Sequence, residues 1–365
     1  MRGAIGRADS SFLLEGFTMW GMLLALGSTM IPLALPAGPD PVAQVRVDAS
    51  RREVVVTIGP FHVPNMPAGM DHAQMTMMND HNTPVIHFAW PIQAWLRGFR
   101  IEATSADGKR LDSRMIHHLI GINFDRRQLV YPAFERIFGA GSETEAALVP
   151  KSIGVPMVAG SHLGVYLAWK NETGKELNGV TVTIYLPYSP PNMNPRPIDA
   201  LPFYADVNLT VGGEDAFDVR PGHSEKAFEF TVPVGGRLLA FGGHMHDYGT
   251  SVRLEDVAAG KVIAKVTATR TAAGLVTSVS RSLPGAAGNG IQLKSGVRYR
   301  VVGVYDNPTG KLLVDGGMAH MVGLFAPDDM ARWPALDRAD KGTIADLADL
   351  TRMGKGASMH EGMGH

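Results

Sequence analysis

Gly243-His244-Met245-His246-Asp247-Tyr248-Gly249, with Met318 about seventy residues later, carries the donor types of a soft metal site. Histidines at i and i+2 share a face only on a β-strand, where side chains alternate. Both imidazoles can then reach one ion, and a thioether from another strand completes the set. Imidazole plus thioether suits copper, Cu(I) above all, better than zinc, magnesium or calcium. A second cluster, Met115-Ile116-His117-His118-Leu119-Ile120, lies in the first half of the chain. On a regular strand His117 and His118 point to opposite faces, so joint ligation requires a bulge, a strand end or a turn.

These residues must be positioned by β-structure. Val180, Val182, Ile184 and Leu186 alternate with polar residues, as do Phe228, Phe230 and Val232, the period-2 signature of half-buried strands. Further strand-like runs at 52–58, 98–104, 237–242, 261–267 and 297–305 are separated by turn residues. With 42 Gly, 24 Pro and no long helical pattern, the expected class is all-β, two tandem antiparallel β-sandwiches of jelly-roll type. The proline-rich stretch 189–199 is stiff and has no room for a helix, so it divides a first sandwich over 43–188 from a second over 200–326. Residues 327–365 form a tail, with a short amphipathic helix expected over 336–352.

The order His-His, then His-x-His, then Met across two β-rich segments resembles the copper type II, ascorbate-dependent monooxygenases, the family of peptidylglycine α-hydroxylating monooxygenase and dopamine β-monooxygenase. The resemblance covers about residues 50–326 and is concentrated in the His-His segment, in Gly243–Gly249 and in Asp315–Met321. It implies an electron-supplying copper on His117 and His118, and an oxygen-binding copper on His244, His246 and Met318. The two would face each other across a solvent-filled cleft. His320 and Met321 are the alternative ligands beside Met318.

Two departures qualify the resemblance. The family's third histidine for the first copper falls on Ala168 here, or on Lys170 with a two-residue slip, and His162 lies roughly 20 Å along the same strand at ~3.3 Å per residue. Any completing ligand must come from elsewhere: His62, His72, His81 or His87. The positions that grip a substrate carboxylate in the peptidylglycine enzyme are Gly242 and Val322, which removes both the charge and the hydroxyl. Peptide amidation is not expected.

Composition excludes several other classes. Lys+Arg 34 against Asp+Glu 35 leaves no basic face for nucleic acid, and with no cysteine there are no disulfides, thiolate sites or thiol nucleophiles. Arg2 and Arg7 precede an apolar run over 17–37, which reads as a signal peptide or, uncleaved, a membrane anchor over 1–37. Export, periplasmic or secreted, is expected either way. Two stretches, 66–81 and 353–365, are rich in Met and His without core periodicity and read as loose copper-capturing segments. The sequence thus supports a copper-dependent monooxygenase acting on a small molecule with dioxygen and a reductant such as ascorbate, or an exported copper-binding protein on the same fold.

Overall fold

The computed structural model describes residues 41–67, 70, 82–209, 211, 216–287 and 289–352. The expected N-terminal leader, the candidate ligands His72 and His81, and most of both Met/His-rich stretches lie outside the described residues. No helix among the described residues is long and apolar enough to cross a membrane.

The fold is all-β, as the alternation predicts. In the first half, an eight-stranded sheet faces a four-stranded sheet made of Ile86–Ala89, His162–Trp169, Ile116–Arg127 and Phe134–Gly141. Val180, Val182, Ile184 and Leu186, on the strand Leu177–Ser189, are fully buried between them with Val54, Val56 and Ile58. Alternation thus translates directly into one wet and one dry face. In the second half, the strands Leu201–Asp206, Ala319–Pro327, Gly236–Met245 and Ile291–Leu293 form a four-stranded sheet. It packs on a five-stranded one around Phe203, Leu238, Val252, Val301 and Phe325.

The two cores belong to one compact unit, Gly38–His365. Leu129 of the first half is buried in the second core, and Trp333 packs against both. The proline-rich connector is docked on the first sandwich. Ile198–Asp199 pairs in parallel with Ile153–Gly154, and Asp199 Oδ1 accepts from Trp95 Nε1 at 2.7 Å. Among the described residues, the strands pair antiparallel except at this two-residue seam.

The tail helix spans Lys341–Arg352 and starts later than the apolar pattern suggested. The Asp340 carboxylate accepts from the amides of Gly342 (2.7 Å) and Thr343 (3.3 Å), which fixes the N-terminus there. The helix returns to the first sandwich. Asp346 takes the amide of Phe134 and both terminal nitrogens of Arg136 at 2.6–2.8 Å, and Leu350 is buried beside Phe124 and Phe134. The helix thus covers part of the outer face of the four-stranded sheet that carries His117 and His118, around Phe124 and Phe134.

Candidate metal centre

The His-His pair sits at a β-bulge. On the strand Ile116–Arg127, His118 pairs with Ala168, but the next partner, Trp169, pairs with Ile116, so His117 is the extra residue. The bulge turns two adjacent imidazoles to one side, with ring centroids 4.1 Å apart. The His-x-His histidines need no such device. His244 lies near the end of the strand Gly236–Met245 and His246 just past it, with centroids 5.4 Å apart and rings perpendicular. The turn that follows, closed by the Gly249 amide on the His246 carbonyl (3.1 Å), ends the strand at this point.

The two pairs meet. Nε2 of His118 is 3.2 Å from Nε2 of His244, and the His246 ring is 5.4 Å from His117 and 5.6 Å from His118. Ligand nitrogens of His117, His118 and His246 all lie within 4.8 Å of one another, so this group could hold a metal ion. The resemblance implies two coppers on opposite sides of a cleft; the structure instead brings the four imidazoles into one cluster. The two sandwiches dock through side chains such as Leu129 and Trp333, and this brings the histidine pairs into contact at one wall of the space between them.

Behind the cluster stands a residue that carries no metal motif. Glu143 follows the strand Phe134–Gly141, and its Oε1 is 2.7 Å from Nδ1 of His244. Gly141 makes room for it, since a Cβ there would lie 2.7 Å from the Glu143 carboxylate. Burial pushes the Glu143 carboxyl up, but the charge and hydrogen bond of His244, a backbone amide and His320 together hold it below its ordinary value. A carboxylate oxygen accepts, so Nδ1 of His244 carries the shared proton, and in the neutral form of the ring Nε2 is left with the lone pair toward His118.

His320 pairs directly with His244 across the sheet, with rings 5.1 Å apart, and its Nδ1 lies 3.5 Å from Asp206. Burial lowers the pKa of His320 against the opposing pull of Asp206. Tyr204 donates to Asp206 at 2.7 Å, so a buried polar line runs inward from the cluster.

Met318 stands beside the cluster through its backbone. Its carbonyl accepts from the His246 amide at 3.1 Å and from the Tyr305 hydroxyl at 2.5 Å. Met318 also borders a cavity together with His118, His244 and His320. Met321 is not a ligand. It is fully buried in the second hydrophobic core, one residue from His320 and therefore on the other face of the strand.

Of the proposed completing histidines, the two among the described residues do not reach the cluster. His62 is bonded to Asn178 (2.8 Å) on the surface, and His87 is paired with His162 (3.0 Å) at the far end of the sheet. Ala168 does stand opposite His118, so the strand His162–Trp169 brings no third histidine; His246 and His244 arrive instead from the second sandwich.

The cavity has a volume of about 790 Å³ and runs between the two sandwiches. Its walls include Leu96, Phe99, Phe138, Phe241 and Leu324, and the cluster is reached through His118 and His244. Gly242 borders it, with the stem of Arg281 lying where a Cβ at 242 would come within 3.4 Å.

No protein-family model and no curated protein matches the chain. Among solved structures it is similar to the major capsid protein P2 of bacteriophage PM2, at 11% identity over 74% of this chain and 98% of that one, with a TM-score of 0.36. It is also similar to PNGF-II, at 9% identity over 74% of this chain and 66% of that one, with a TM-score of 0.40. Likenesses this distant carry no inference about the site.

Proposed function

We propose that the protein is an exported copper protein that oxidises a small, largely apolar molecule with dioxygen and a reductant such as ascorbate. The observation that carries this reading is the convergence of His117, His118, His244 and His246, of which His118 and His244 line a cavity large enough for a small-molecule ligand. The donor set fits copper. Imidazoles that stay neutral near pH 7 are its common ligands, and the 3.2 Å between two Nε2 atoms matches adjacent ligands on one ion at ~2.0 Å. The soft thioether of Met318, on the same cavity wall, favours copper over zinc.

When bound, copper would supply one-electron redox chemistry and a place for dioxygen to bind. The chain's own contribution is positional. Glu143 holds the ring of His244 in the tautomer that frees Nε2. His117 and His118 are fixed by the bulge, and the His246 amide is tied to Met318. The aromatic walls at Phe99, Phe138 and Phe241 keep water from the substrate's reacting bond and orient an apolar body toward His118 and His244. Export follows from the basic, then apolar, N-terminal stretch.

One observation favours a second reading, exported copper binding without turnover. A single merged cluster offers no separate place for an electron-storing copper. Copper titration with oxygen consumption followed in ascorbate separates the two. Bound copper with turnover that exceeds free copper supports the oxidase reading, whereas tight copper with no turnover contradicts it.

A further inference from the structure

Two histidines at the opposite end of the same sheet form a second constellation that the oxidative reading does not use. His87, on the strand Ile86–Ala89, and His162, on the strand His162–Trp169, are diagonal neighbours across antiparallel strands, because His162 pairs with Ala89 and Gly164 with His87. Both side chains are exposed, and Nδ1 of His87 is 3.0 Å from Nε2 of His162. We infer that His87 and His162 form a second, surface metal site that chelates a divalent transition ion, Cu(II) or Ni(II), independently of the four-histidine cluster.

The spacing suits two ligands of one ion. Two nitrogens at ~2.05 Å from one metal and 3.0 Å from each other subtend about 95°, and linear Cu(I) would need them roughly 4.1 Å apart. Imidazole pairs with solvent in the remaining positions suit Cu(II) or Ni(II).

Both rings are already held in place. Phe124 packs against each, 4.9 Å from His162 and 5.0 Å from His87. Gly164, opposite His87, leaves room for the Phe124 ring, whose Cε2 a Cβ there would meet at 2.8 Å. The backbone of His162 is anchored by its amide on Asp125 Oδ2 at 2.7 Å. Little side-chain entropy is then left to lose on binding. Partial burial and the neighbouring His162 also lower the pKa of His87, so it is neutral and ready to ligate at pH 7.

His162 is six residues along the strand from Ala168, which stands opposite His118, so the two sites are separated by about 20 Å. They load separately. The test is Ni(II) and Cu(II) titration of the full chain against the double variant His87→Asn/His162→Asn, with thermal melting to check the fold. The native chain should bind one more equivalent of Ni(II) than the double variant. Each single variant should lose that same equivalent, because one imidazole no longer chelates. His118→Ala should retain it, with a tetragonal Cu(II) resonance split by two nitrogens. Equal Ni(II) stoichiometry in native and double-variant protein would overturn the site and leave a hydrogen-bonded histidine pair. That result would not bear on the four-histidine cluster, which His118→Ala probes on its own.

Discussion

Which nitrogen of a histidine a metal could reach depends on ring orientation, and a neighbour can set it. Glu143 is the clear case, because its carboxylate reaches from the first sandwich to a histidine of the second and fixes which nitrogen of His244 faces His118. Glu143→Gln keeps the shape but removes the charge and the obligatory acceptor. Metal affinity should fall about 10- to 100-fold by chelator competition while the fold is retained; unchanged affinity would show that the contact is incidental. The ligand types were readable from the residues, since His-x-His needs only a strand and His-His needs only a bulge. Glu143 was not readable. Its single trace is the glycine at 141 opposite His118, which becomes meaningful only once the hairpin register is known.

At the scale of elements, period-2 alternation was enough to locate the main strands, since Val180 to Leu186 and Phe228 to Val232 each have one apolar face to bury. The helix boundary depended on a cap, Asp340, that the apolar pattern does not encode. The same helix carries a testable cost. Burial raises the pKa of Asp349, with Arg352 opposing and the like charge of Asp346 adding to it. A carboxyl whose pKa is raised in the fold contributes most below its unfolded value near 3.9, and that contribution is lost as pH rises through the folded value. Asp349→Asn should therefore gain in melting temperature relative to the native chain as pH rises from 4 to 7, by a degree or two. A gain that is constant across this range would contradict the assignment.

At the scale of the whole molecule, the merging of two histidine motifs into one cluster was illegible in the sequence. It depends on how two sandwiches dock, and that is decided by side chains such as Leu129 and Trp333, which show no motif. An ion held from both sides should stabilise the native state as a whole. At a free concentration a hundred times its dissociation constant it adds about 2.7 kcal/mol. Protons compete for the same nitrogens, so this stabilisation should weaken as pH falls. Melting curves with and without copper at pH 7.5 and 5.5 would show the difference; a copper-induced rise of equal size at both would argue against imidazole ligation.

In the proposed function, His117 and His118 act with His244 and His246 as one centre. Copper stoichiometry and affinity in the native chain, His118→Ala and His246→Ala test it most directly. One centre predicts that either substitution, in either sandwich, weakens the same tightly bound copper. If His118→Ala removes one tight equivalent while leaving a second intact, and His246→Ala does the reverse, the two motifs bind separate ions and the single centre is refuted.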